Sequence, residues 1–137
     1  MLHANKFGMA CHIGLLSDTP TIGCSKKLYQ IFGLENNDEH KRKISEELKK
    51  GGDHFELFSN ENDTNNRELI GICYRPTDKA TNPIYVSLGH KISWETCMWL
   101  LRECYEMRGW KTRVPQPIRQ ADILTREFLR KNGFGLK

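Results

Sequence analysis

Two adjacent lysines at the end of a short apolar run carry the clearest chemical signal in this sequence. Ile22-Gly23-Cys24 is apolar on both faces, which is typical of a buried strand, and the chain then reaches Lys26 and Lys27. Ligands of open α/β sheets bind at the carboxyl ends of strands, so cations placed there could contact an anion. A solvated strand end explains the same two charges equally well.

Two other side chains occupy positions where a site residue could lie. His3 precedes a predicted helix and could face a site or be solvated. Asp122 stands among the apolar positions of the last predicted helix. A carboxylate there is either a charge near the helix N-terminus, favoured by the helix dipole, or a site residue that faces inward.

The elements that must position these residues follow from apolar spacing. Helices are predicted at 7–16, 39–50, 94–108 and 118–131, and strands around 22–24, 55–57, 69–74 and 84–87. The polar stretch 59–66 is predicted to be a hairpin loop. Gly8, Ala10 and Gly14 predict that the first helix lies close against a sheet. In the last helix the inward residues are predicted to be Ala121, Ile123, Leu124, Phe128 and Leu129.

Composition restricts the class of protein. The 137 residues suit one domain, and 38% hydrophobic with 28% charged residues is typical of a soluble globular protein. No stretch has the apolar length of a membrane span, and 1–16 lack the pattern of a secretory signal. Five cysteines without zinc-site spacing predict reduced core thiols and a cytoplasmic and/or nuclear location. The net charge of +4 permits a polyanion partner without requiring one.

Three segments, taken together and in order, resemble the endonuclease V family. The first combines LHANKFGMACHIG at 2–14 with PTIGCSKKL at 20–28, the second is IYVSLGHKIS at 84–93, and the third is RVPQPIRQAD at 113–122. The stretch 33–37 is similar to eukaryotic members. In the family, strands with a catalytic Asp and Glu, a wedge loop and an Asp-Gly-x-Gly motif come before the position of His3. The resemblance therefore implies one partial domain over 1–137, the C-terminal portion of the family fold.

That resemblance implies an incomplete ribonuclease-H-like α/β fold that lacks the N-terminal strands. It also implies cleavage of DNA or RNA near deoxyinosine or inosine that depends on Mg²⁺, with Mn²⁺ as the alternative ion, impaired here by truncation. The partner would be single-stranded RNA or DNA containing inosine, with no membrane, and the oligomeric state stays open. The alternative is a catalytically inactive fragment that binds inosine-RNA or single-stranded DNA or has a regulatory role.

The family motifs also imply roles for individual residues. By motif position, Lys26, His3 and Asp122 would be catalytic, and Asp122 would bind the metal ion. Lys26 would lie near the scissile phosphate, where a cation offsets developing charge. The residues expected to contact the substrate are Gly8, Leu28, Tyr29, His90, Lys91, Arg113 and Arg119. For His90 the competing role is to orient a strand-to-helix turn, and for the cations it is ordinary surface charge.

Overall fold

Four strands form one antiparallel sheet in the computed structural model, which describes residues 2–31, 33–59, 67–107, 109 and 111–134, without the side chains of 106 and 107. The strands are β1 (Thr21–Ser25), β2 (His54–Ser59), β3 (Glu68–Tyr74) and β4 (Ile84–His90). Their order is β1-β4-β3-β2, and each neighbouring pair is antiparallel. All four predicted strands are confirmed. The rule that places ligands at the carboxyl ends of parallel strands does not apply to this sheet, because its strands run antiparallel.

The helices also occur where the apolar spacing predicts them. They are α1 (Met9–Ser17), α2 (Asp38–Glu47), α3 (Trp94–Arg102) and α4 (Gln116–Lys131), and a π-helical segment, Glu103–Met107, continues α3. The Ser93 hydroxyl accepts a hydrogen bond from the Thr96 N–H at 3.1 Å, so Ser93 is the N-cap of α3, as a serine directly before a helical apolar run predicts. Most of the predicted hairpin loop, residues 60–66, lies outside the described residues, as does residue 108.

Two apolar clusters cover the two faces of the sheet. Cys73 of β3 packs on one face with Phe55 and Leu57 of β2. Ile72 and Tyr74, its neighbours along β3, pack on the other face with side chains of α3. The register of β2 with β3 is irregular between Leu57 and Phe58, so Ile70 has no opposite residue and joins the Cys73 side. The central strands are therefore buried on both faces.

Small residues bring α1 close to the sheet, as the sequence predicts. A Cβ atom on Gly14 would lie 2.4 Å from His90 Cβ and 2.5 Å from Thr21 Oγ1, so only glycine fits there. The Thr21 hydroxyl donates to the Ala10 carbonyl at 2.7 Å and ties β1 to the first turn of α1. This contact fixes how α1 lies over the edge strand β1.

The prediction of an inward face on α4 is wrong for the described part of the chain. No residue of α4 is buried, and Leu124 and Phe128 are 61% and 64% exposed. Ala121 and Ile123 are exposed as well, and Leu129 is half-buried. The amphipathic spacing was interpreted as facing this sheet, but the described elements do not cover that stripe.

The cysteines agree with the expectation of core thiols. Cys11, Cys73 and Cys97 are buried, and Cys24 and Cys104 are half-buried. Burial raises the pKa of Cys97 and Cys24 to about 11 and that of Cys73 to about 12. In the ranges that the structure describes, no helix is long and apolar enough to cross a membrane.

Candidate nucleic-acid groove

A groove of about 610 Å³ runs along β1 beside α1. Every residue of β1 lines it, because β1 is an edge strand with β4 on one side. Met9 and Ile13 of α1 form an apolar wall, and Ile118 of α4 lies across from them. These three apolar residues were absent from the predicted site, although the exposed positions of an amphipathic helix could have indicated them. The lining is mainly apolar, and polar side chains such as His3, Ser25 and Lys27 belong to it as well.

Three of the predicted site residues, His3, Gly8 and Tyr29, lie together in the lining of this groove. The rings of His3 and Tyr29 stack with their centroids 5.9 Å apart and their planes 16° apart. The Asn5 N–H donates to His3 Nδ1 at 3.3 Å, so a neutral His3 carries its proton on Nε2. Gly8 is the N-cap of α1, and a Cβ there would be 3.7 Å from His3 Cβ. The loop before α1 therefore brings His3 beside Gly8 at the mouth of the groove.

Hydrogen bonds of Ser25 shape the turn that holds the lysine pair at the end of β1, residues 25–27, which is called the lysine turn below. The Ser25 hydroxyl donates to the Lys27 carbonyl at 2.8 Å and accepts from the Lys27 N–H at 3.2 Å. Lys27 lines the groove, and Lys26 is exposed next to it. Among the residues described, neither ammonium group has an ion-pair partner. Both charges are therefore free to attract an anion at the groove.

Arg113 fastens the loop before α4 to the strand ends instead of facing solvent. Its guanidinium donates to the Pro83 carbonyl from Nε at 3.1 Å and from Nη2 at 2.7 Å, and Nη2 also donates to the Lys26 carbonyl. The Tyr105 hydroxyl in turn donates to the Arg113 carbonyl at 3.1 Å. These bonds give Arg113 a structural role at the base of the lysine turn. The predicted phosphate contact would have to use its remaining N–H groups.

Asp122 does not face inward. It lies in the second turn of α4, is exposed, and accepts a hydrogen bond from Arg126 Nε at 2.9 Å. Asp122 therefore lies beyond the first helical turn, with its carboxylate exposed and paired with Arg126. Its prediction as a metal ligand stays a prediction.

The described residues do not supply a binding site for a divalent cation. Within them, no group of three or more His, Cys, Asp or Glu side chains is arranged to hold a metal ion. Mg²⁺ keeps near-octahedral oxygen coordination, which one exposed carboxylate cannot impose. The predicted ion and the residues present therefore do not fit each other, and no chemical step follows from a metal here.

Two predicted contact residues, His90 and Lys91, instead contact the other end of α1. Lys91 donates to the carboxylate of Asp18, the left-handed C-cap of α1, and His90 Nε2 lies 3.6 Å from the same carboxylate. The hydrogen bond from Lys91, together with the nearby imidazole of His90, holds the pKa of Asp18 below its ordinary value of 3.8. His90 therefore contacts the end of α1 from the last position of β4, and its substrate contact stays a prediction.

The two remaining predicted contact residues lie outside the groove lining. Leu28 is half-buried and packs against the core cluster that contains Leu57, so it supports the lysine turn from beneath. Arg119 is exposed on α4, next to Ile118 of the groove. The structure thus brings His3, Gly8, Tyr29 and Lys27 together in the groove lining, to which Asp122, His90 and Lys91 do not belong.

Comparisons with known proteins match the chain to one family. A family model described as Endonuclease V matches residues 1–123. Mouse Endonuclease V is 44% identical over 131 residues, which are 96% of this chain and 36% of the mouse protein. A crystal structure of human ENDOV has a TM-score of 0.82 at 42% identity and covers 96% of this chain and 51% of that one.

A third relative was solved with nucleic acid. It is Ciona intestinalis Endonuclease V in complex with a 24mer DNA containing an inosine followed by a ribo-adenosine. It has a TM-score of 0.74 at 35% identity and covers 90% of this chain and 48% of that one. The chain thus spans between a third and a half of the length of these relatives. Because the family model covers most of the chain and the fold matches solved members, the chain belongs to the Endonuclease V family.

Proposed function

We propose that this chain provides the strand-binding part of an endonuclease specific for inosine or deoxyinosine. The observation that carries the proposal is a groove lined by His3, Gly8 and Lys27, with Lys26 exposed beside Lys27 and no ion-pair partner for either lysine among the described residues. The Ciona relative bound to inosine-containing DNA supports the choice of nucleic acid as the partner. The ribonuclease-H-like class of the fold belongs to the same proposal.

The groove suits a single strand for a physical reason. Lysine ammonium groups neutralise backbone phosphates and release counterions, which supplies affinity for any sequence. The apolar wall of Met9 and Ile13 can take a base that has left its stack. Extruding a base costs least when it is mispaired or already single-stranded, so an unpaired or mispaired inosine is a favourable base to bind there.

For cleavage, we propose that carboxylates beyond those described here are required. Asp122 would be the one metal ligand that this chain contributes, and Mg²⁺ or Mn²⁺ the ion. The mismatch between that ion and the described residues favours the alternative in which the chain by itself binds inosine-containing strands without cleaving them. Such a role suits the cytoplasm or the nucleus, where these strands occur.

The test measures, by fluorescence anisotropy, how the chain binds short single-stranded RNA and DNA. Each strand carries either inosine or adenosine at one position. Affinity should fall as the salt concentration rises from about 50 to 200 mM, and Lys26→Glu should lower the affinity for every strand. The matched control is Lys41→Glu, because Lys41 lies on α2, which packs toward the β2 edge of the sheet. The proposal is wrong if no strand binds, or if Lys26→Glu binds as the control does.

A further inference from the structure

An exposed aromatic ring stands two residues after the lysine pair. Tyr29 is 51% exposed, although it lines the groove and stacks on His3. The imidazole of His3 covers one face of the phenol ring and holds it nearly parallel, at 16°. The ring is thus fixed in orientation, while about half of the residue stays open to solvent.

We propose that Tyr29 is a stacking platform for an unpaired base of a bound strand, and that this contact raises affinity without selecting sequence. The proposal rests on the function proposed above, because it requires a strand at the groove. His3 would act as a positioning residue that holds the phenol ring in place. The base on Tyr29 would be a neighbour of the one that enters the groove.

The charges around the ring favour a nucleic-acid base over an apolar peptide. Lys26 and Lys27 lie just before Tyr29 in the chain, with only Leu28 between. A phosphate held by either lysine would therefore bring its own nucleotide within reach of the Tyr29 ring. Arg119 adds a third exposed cation beside Ile118. An apolar peptide would gain nothing from these cations, whereas a strand uses both the charges and the ring.

Stacking requires an aromatic ring, whereas a hydrogen bond requires the hydroxyl and burial requires only apolar volume. Every base presents a π-face, so an aromatic platform accepts all sequences. Tyr29→Phe keeps the ring and removes the hydroxyl. Tyr29→Leu keeps a large apolar side chain and removes the π-system. Comparing the two variants in the full chain therefore isolates the ring itself.

The assay uses short single strands that carry the fluorescent base 2-aminopurine beside inosine, and the same strands with adenosine in place of inosine. Stacking on an aromatic ring quenches 2-aminopurine, which a purely structural role of Tyr29 would not do. We expect quenching with the wild-type chain and with Tyr29→Phe, and its loss with Tyr29→Leu. Tyr29→Leu should lower the affinity for both strands by about 5- to 150-fold, as base–aromatic stacking energies imply.

The outcomes separate this proposal from the proposed function. Salt-dependent binding that is equal in wild type and Tyr29→Leu would overturn the stacking platform and leave strand binding intact. Binding without quenching in the wild type would also overturn it. If Tyr29→Phe loses as much affinity as Tyr29→Leu, the hydroxyl and not the ring makes the contact. If the wild-type chain binds no strand, both proposals are wrong.

Discussion

Replacing Gly14 with alanine should loosen α1 from the sheet and destabilise the protein. The added Cβ would lie 2.4 Å from His90 Cβ and 2.5 Å from Thr21 Oγ1. Neither atom is the free end of a flexible side chain, so α1 or the strand pair must move. Movement of Thr21 would also lengthen the 2.7 Å hydrogen bond from its hydroxyl to the Ala10 carbonyl.

The magnitude follows from opposing effects. Alanine in a helix is favoured over glycine by about 1 kcal/mol. Overpacking a tight contact costs about 1–3 kcal/mol, and a lost hydrogen bond costs about 1 kcal/mol more. The steric cost is the larger effect, so we expect the free energy of unfolding to fall by roughly 1–3 kcal/mol. For a domain of this size the melting temperature should then drop by roughly 5–10 °C.

The assay is urea and thermal unfolding followed by circular dichroism. The matched control is Gly8→Ala at the start of the same helix, where the new Cβ would be in ordinary contact at 3.7 Å from His3 Cβ. Since Gly8 is the N-cap, that change should cost under about 1 kcal/mol. If Gly14→Ala is as stable as the wild type or more stable, α1 does not pack against β4 as closely as described.

Three further predictions concern individual side chains. Arg113→Lys should lower the free energy of unfolding by about 1–3 kcal/mol in urea titrations, because one ammonium cannot span both backbone carbonyls. Unchanged stability with weaker strand binding would instead show that Arg113 contacts a phosphate. The lowered pKa of Asp18 means that its ion pair stabilises the fold above the ordinary value of 3.8 and is lost as pH falls below it, so the stability deficit of Asp18→Asn should vanish in acid. The purified chain with Mg²⁺ or Mn²⁺ should not cleave inosine-bearing RNA or DNA in a gel assay, and cleavage that disappears in Asp122→Ala would reveal a metal site among residues dismissed here.

Local sequence signals predicted the elements well because their causes are local. Ser93 before an apolar run predicts an N-cap, and its hydroxyl accepts the Thr96 N–H in the structure. The small residues of α1 predict a close helix–sheet contact, and Gly14 provides it. Each of these features depends on neighbours within a few residues or on one helix face, so a single sequence contains the information.

The family motifs located the groove only in part. His3, Gly8 and Tyr29 meet as the resemblance implies, because the loop before α1 and the turn after β1 both end at the same edge. His90 and Lys91 belong to an equally recognisable motif, yet they contact Asp18 at the opposite end of α1. Motif membership does not say at which end of the sheet a residue lies. Antiparallel pairing places His90 opposite Thr21, at the start of β1 and away from the lysine pair.

The sequence by itself determined the secondary structure, the burial of the cysteines and the lysine pair at the end of β1. Only the tertiary structure decided the use of Arg113 and Asp122. The guanidinium of Arg113 reaches carbonyls of Pro83 and Lys26, residues distant in sequence, because antiparallel pairing places the end of β1 beside the start of β4. Asp122 is exposed because the apolar stripe of its helix has no described partner, and a stripe in sequence specifies that a face is apolar without specifying what covers it.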